Sequence, residues 1–273
     1  MLMVGVLGVS MMQLHKLYKD VWDSLRIWRF WVHLGWEDVA RQYRRSILGP
    51  IWITLNTGLF IFVFGLIGAQ LFKSGVHEYL PYLCVGHVVF TYISLLINEG
   101  CQVFMQAEPY LKQAPFPKFA FIFRVVWRNV LLFAHNFPVV ILVIGFTSGL
   151  GQIRLGWLLL GALALVYCST LAVAILGLIA ARFRDVPMIV TSVMQIAFFV
   201  TPVMWRPEQL TDRAQLAARL NPLAAILELI RAPMLGAMPS MAALGLVLVT
   251  LFVLSVLCLV LYVLGRRRIV YWI

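Results

Sequence analysis

The sequence predicts an all-α membrane protein. Its six transmembrane helices are joined by an N-terminal amphipathic interface helix and a re-entrant helix pair between spans five and six. Three observations lead there. Of the 273 residues, 62% are hydrophobic and only 12% charged, where a soluble domain carries about 25% charged residues. Six apolar stretches approach or exceed the roughly 20 residues that a helix needs to cross a bilayer. The basic residues, which leave a net charge of +11, collect in alternate connections between those stretches. A soluble enzyme or soluble nucleic-acid binder would have to expose that apolar surface in aggregating patches. Both are excluded.

The first ten residues are apolar but too short to span, and they lack the basic n-region of a signal peptide. Residues 21–43 follow as the interface helix. Val21, Leu25, Trp28, Val32, Trp36, Val39 and Tyr43 recur at steps of three and four, which places them on one stripe. Asp23, Arg26, Glu37, Asp38, Arg41 and Arg44 fall on the other side, with Phe30 and Leu34 intruding and Gly35 as a point of division. Such a helix lies in the headgroup plane with its tryptophans at the interface.

The spans come next. Residues 51–72 carry no charge, and 80–97 end just before Glu99. The third, 125–147, holds Arg128 and His135. The fourth, 155–181, is uncharged; 186–205 and 241–265 complete the set. The connection 206–240 opens polar, then turns apolar between Pro222 and Pro239 with Glu228 and Arg231 three residues apart. It is too short and too proline-interrupted for a crossing, and a pair of short helices dipping into one leaflet is expected, with Glu228 and Arg231 paired. Domain organisation is therefore an N-terminal part, 1–50, and a six-span part, 51–273. The latter has an internal loop at 105–119 and the dipping segment at 206–240.

Orientation follows from the charge. With both termini inside, the inner segments hold 16 of the 22 Lys and Arg residues. That satisfies the positive-inside rule. The chemistry is sparse by comparison. There is no phosphate-binding glycine loop, so no nucleotide site is expected in this chain. Cys84, Cys101, Cys168 and Cys258 stand far apart, the histidines are scattered, and no metal site is expected. His87 and His135 lie inside spans, where a neutral hydrogen-bonded imidazole is the plainer expectation. No catalytic residue is assigned, and any transport needs an outside energy source.

Five strings are more specific. Arg44-Arg45-Ser46-Ile47-Leu48-Gly49-Pro50-Ile51-Trp52 joins the interface helix to the first span, and Ala181-Arg182-Phe183-Arg184-Asp185-Val186 turns between the fourth and fifth. Phe198-Phe199-Val200-Thr201-Pro202-Val203-Met204-Trp205 ends the fifth, while Asn221-Pro222-Leu223 and Arg231-Ala232-Pro233-Met234-Leu235-Gly236 mark the dipping segment. In this order and spacing, from about residue 20 to the C-terminus, the chain resembles the permease subunits of ABC-type cell-surface polysaccharide exporters. The O-antigen exporters are the nearest kind, with capsule and teichoic acid exporters as relatives.

The resemblance implies a homodimer of permeases with two separate ATPase subunits, which bring the ATP and magnesium. It also implies a bacterial inner-membrane location and a polysaccharide substrate on an undecaprenyl diphosphate carrier. Rival readings are a permease for drugs or small lipophiles and, in another class, a membrane enzyme acting on carrier lipids. Within the exporter reading, the loop 105–119 is the ATPase-coupling element, seated through Glu108, Pro109, Tyr110 and Lys112. Arg41, Arg44 and Arg45 either grip a diphosphate headgroup or serve only the charge bias. The Leu48-Gly49 turn, with Trp52 after it, would admit the lipid-linked substrate. Phe60, Phe64, Phe198 and Phe199 either line the pore as sugar-stacking faces or pack in the core. Trp205, Glu228 and Arg231 belong to the gate.

Overall fold

A computed structural model of the chain describes residues 15–44, 49, 51–147, 149–266 and 268–273. The predicted Arg45 and Leu48, the basic Arg267 and the apolar first ten residues lie outside the described residues. Within them every regular element is helical. Residues 15–26 form α1; α2 (Trp28–Tyr43), α3 (Ile51–Leu71), α4 (Val76–Gly100), α5 (Val103–Gln113) and α6 (Phe119–Thr147) follow. Next come α7 (Leu155–Arg182), α8 (Val186–Val200), α9 (Asp212–Arg219), α10 (Pro222–Met234), α11 (Met241–Gly265) and α12 (Ile269–Trp272).

Among the described residues, five helices are long and apolar enough to cross a membrane: α3, α4, α6, α7 and α11. They coincide with five of the six expected spans. The other, α8, is a 15-residue helix, about 22 Å long at ~1.5 Å per residue against a hydrocarbon core of ~30 Å. The sequence reading carried this span on to Trp205. It stops at Val200 because Pro202 has no N–H to donate and disfavours helical backbone at Thr201, which is extended (φ −83°, ψ 138°).

The non-helical stretch nevertheless keeps to the line of α8. At one end Thr191 Oγ1 bonds Asn98 Oδ1 at 2.6 Å; at the other Arg206 reaches Glu78 at 2.8 Å. Between them Phe198 packs edge-on to Phe90, and Tyr79 and Tyr82 donate to the carbonyls of Met204 and Trp205 at 2.8 and 3.0 Å. Residues 191–206 therefore run antiparallel along α4 from Asn98 to Glu78. The helix supplies most of that length and the turns and bends of residues 201–205 the remainder.

Helix α4 is the hub and the most buried of the long helices, whereas α11 at the edge is the least. The core joins Leu96, Phe104, Ile122, Val173, Ile175 and Leu229 from α4, α5, α6, α7 and α10. Close helix approach rests on small residues. A Cβ on Gly161 of α7 would lie 2.5 Å from the Leu229 carbonyl oxygen of α10. All four cysteines are buried and free, as small hydrophobes in apolar helices.

The expected interface helix differs in one respect. It is interrupted at Ile27, whose backbone is non-helical (φ −91°, ψ 34°). Its side toward α6 carries Trp31, Gly35, Asp38 and Val39, of which only Val39 belongs to the predicted stripe, and Trp28 and Trp36 of that stripe are exposed. Gly35 does not divide the helix. A Cβ there would lie 2.9 Å from the Trp127 ring, so the glycine permits contact with α6. An ion pair and a small residue hold this side of α2 to α6, leaving the tryptophans outward.

Candidate functional site

The site-bearing features lie at the two ends of the bundle and in the polar crevice between them. At the α5 end, Asp20 of α1 is nine-tenths buried. Its carboxylate accepts from the backbone N–H groups of Lys118 (3.1 Å) and Phe119 (3.2 Å) and from the Tyr262 hydroxyl (2.6 Å). The first turn of a helix has N–H groups without intrahelical partners and a partial positive charge. Asp20 meets both needs for α6 while joining α1 and α11. Lys118 donates its ammonium to the Arg266 carbonyl. Burial lowers the Lys118 pKa, with Asp20 opposing that shift.

The predicted coupling residues sit on α5. Glu108 and Lys112 form an i,i+4 ion pair at 2.6 Å, both about half exposed, and Pro109 is exposed. Tyr110 faces the other way, 6.1 Å edge-on from Phe30 and 5.6 Å from Phe121. It anchors α5 against α2 and α6, leaving Gln106, Pro109 and Gln113 on the outer face.

Along α2, Arg41 pairs with Glu37, which also takes His33 at 3.0 Å. Arg44 is exposed at the helix end. Asp38 pairs bidentately with Arg124 of α6, both contacts 2.7 Å, with the side chains 13% and 15% exposed. Gly49 adopts a left-handed backbone (φ 54°), a conformation glycine takes without steric cost. The Trp52 amide donates to its carbonyl at 3.3 Å, so the chain turns directly into α3.

Behind this turn a cavity of about 400 Å³ opens between α2, α3, α4 and α6. Tyr43 and Trp52 stand at one end, Phe60 and His87 at the other. Glu99 of α4 lines it, bound to Arg128 Nε at 3.1 Å and to Asn129 Nδ2. The pairing satisfies a carboxylate inside an otherwise apolar bundle.

Beyond the cavity the four predicted aromatics form one run. Phe64 stacks on Phe60 (4.4 Å), Phe60 on His87 (3.9 Å), Phe198 lies edge-on to His87 (6.4 Å), and Phe199 edge-on to Phe198 (5.4 Å). His87 is the unpredicted link, and Phe199 projects outward at 72% exposure.

At the α10 end, Arg231 is buried. Its guanidinium lies 3.8 Å over the Tyr82 ring and donates to the carbonyls of Pro202 (2.8 Å) and Val203 (3.2 Å). The expected pairing with Glu228 does not occur. Glu228 instead accepts from the Ser240 amide at 2.8 Å, at the start of α11. The turn after Val200 supplies two carbonyls without helical partners, and the buried cation binds those in preference to the half-buried Glu228 carboxylate. Trp205 folds back and donates its indole N–H to the Phe199 carbonyl at 2.9 Å.

Sequence reasoning missed Asp20, Tyr82 and the Glu99–Arg128–Asn129 group. Their partners are far along the chain. The one local signal was Asn129 and Asn136, seven residues apart and hence on one face of an apolar helix.

A family model described as ABC-2 type transporter matches residues 29–235. A Myxococcus xanthus protein, "O-antigen export system permease protein RfbA", is 24% identical over 201 residues, 72% of this chain and 76% of the relative. Two Klebsiella pneumoniae proteins of the same name are each 20% identical. They align over 195 residues (70% of this chain, 74% of the relative) and 232 residues (83% and 88%).

Proposed function

The chain belongs to the ABC-2 type transporter family, and from that premise we propose that it exports a polysaccharide carried on undecaprenyl diphosphate. Membership makes it a multi-pass transport subunit that works with an ATPase, not an enzyme. The remainder is our reading. Two copies form the conduit in a bacterial inner membrane, with two ATPase subunits below and both termini cytoplasmic. Each copy crosses six times, the fifth crossing completed by the non-helical residues 201–205. In this arrangement α1 and α2 lie in the inner interface and α9 and α10 form the re-entrant gate pair.

The observation that carries the substrate class is the aromatic run Phe64–Phe60–His87–Phe198–Phe199. Stacked rings offer sugars sequence-tolerant apolar faces without fixed hydrogen bonds, which suits a chain that must slide. The names borne by the three relatives agree with it. The exposed apolar face of α8, from Met188 and Ile189 to Ile196 and Phe199, suits contact with the second copy or lipid.

Coupling would use the outer face of α5. ATP-driven closure of the ATPases would push Gln106, Pro109 and Lys112, and Tyr110 would pass the displacement to α2 and α6 through its aromatic contacts. Arg41, Arg44 and Arg45 would meet the diphosphate beside the Gly49 turn.

The test is reconstitution of the permease with its ATPase in proteoliposomes carrying lipid-linked glycan. ATP-dependent appearance of glycan on the far side is expected. An assembled complex that moves a small lipophile but no glycan would refute the substrate assignment.

A further inference from the structure

The cavity between α2, α3, α4 and α6 has a lining that specifies a ligand class. Asn129 and Asn136 are 1% and 6% exposed, and each retains a side-chain oxygen with no hydrogen-bond partner. His87 Nδ1 and the Tyr43 hydroxyl are unpartnered as well, and all four residues line the same cavity. A buried polar group without a partner costs about 1–3 kcal/mol, so four around one space, two of them amide oxygens that only accept, point to a ligand that brings hydroxyl donors. Glu99 does not ask for a cation, because Arg128 and Asn129 already hold it. A flat ring is present too, that of Trp52. The volume, about 400 Å³, falls within the ~300–1,000 Å³ of small-molecule pockets.

A neutral ligand rich in hydroxyls and bearing apolar faces is a saccharide. We propose that this cavity, built within a single protomer, is a sugar subsite that receives the carrier-linked end of the glycan before it joins the aromatic run. The placement rests on the export reading above. Exposed Arg44 follows Tyr43 directly at the end of α2, so a diphosphate held there lies one residue from the cavity wall. Phe60 and His87 at the inner end are also members of the aromatic run, which makes the two features continuous.

The test uses the permease–ATPase complex in lipid nanodiscs and two probes: undecaprenyl diphosphate carrying one sugar, and the same lipid without it. Asn136→Leu removes one orphaned oxygen and only a 3.5 Å bond to Leu132 within its own helix. Thr57→Val is a second, isosteric change in the wall. Each variant is expected to bind the sugar-bearing lipid about tenfold more weakly and the sugar-free lipid as wild type does. Asn136→Leu should keep or raise thermal stability, since an apolar replacement relieves an unsatisfied group.

Wild-type affinity for the sugar-bearing lipid in both variants overturns the subsite alone. So does equal affinity of the wild-type complex for the two lipids, or equal loss of both lipids in the variants. Binding of neither lipid by the wild-type complex overturns the export reading along with it.

Discussion

Replacing Asp20 by Asn tests the tie at the α5 end with almost no change of shape. The carboxylate accepts from Lys118 N, Phe119 N and Tyr262 Oη. Hydrogen bonds to a charged acceptor contribute about 1.5–3 kcal/mol, and neutral ones about 0.5–1.5. With its oxygen in the Oδ2 position an amide keeps all three donors, weakening each contact by roughly 1 kcal/mol. Its NH2 group takes the place of Oδ1 and faces the Lys118 amide, which loses only the second, 3.2 Å branch of its bond. Loss of the negative charge at the start of α6 adds about 0.5–1 kcal/mol. Against that total, neutralising a buried carboxylate returns part of a desolvation cost of several kcal/mol. The expected net loss is roughly 2–3 kcal/mol. The assay is equilibrium unfolding in mixed micelles, read with hydrogen exchange of the first turn of α6, where protection should fall most. Asp23→Asn, three residues along, is the control and should stay within about 0.5 kcal/mol. A D20N protein as stable as wild type, or a D23N protein equally weakened, would refute the reasoning.

Three further predictions follow from the same geometry. A double-mutant cycle of Asp38→Asn and Arg124→Gln should give a coupling of roughly 1–3 kcal/mol, because the pair is bidentate and mostly buried. The half-exposed Glu108–Lys112 pair should give less than about 0.5 kcal/mol in the same unfolding assay. Arg231→Lys should lower stability by roughly 2 kcal/mol, since a point-charge ammonium cannot reach two carbonyls and stack on Tyr82 together; Gly86→Ala should do likewise, its Cβ falling 2.0 Å from Arg231 Nη2. Both are read from unfolding midpoints, and an unchanged midpoint contradicts the buried-cation account. Burial lowers the Lys118 pKa, so the unfolded chain binds more protons than the folded one between that lowered value and the ordinary 10.5. Stability should therefore rise with pH across that window, and Lys118→Met should flatten the rise. A pH profile identical in the two proteins would contradict it.

The spans and their limits were legible because the bilayer requirement is local: about 20 apolar residues in succession, read without knowing any neighbour. Five such stretches became α3, α4, α6, α7 and α11 with ends within a few residues of expectation, except that α4 and α6 begin earlier. The end of α8 was equally local in principle, since Thr201-Pro202 marks a break that an apolar count alone overlooks. The aromatic positions could be chosen from sequence as well, although His87 as their common link could not.

What the tertiary structure decided is pairing. Arg231 is three residues from Glu228 on one helix, and spacing alone matched them. In the fold the guanidinium meets carbonyls freed by Pro202, while Glu228 meets an amide at the start of α11. Which side of α2 meets the protein was likewise settled by the fold, where Asp38–Arg124 and the Gly35–Trp127 contact turn that side inward. Hydrophobic burial is non-directional and scales with area, so composition and run length by themselves determined that this chain enters a membrane, and roughly where. Hydrogen bonds and buried charges demand partners at defined distances and angles. Those partners lie tens to hundreds of residues away, and only the folded chain brings them within reach.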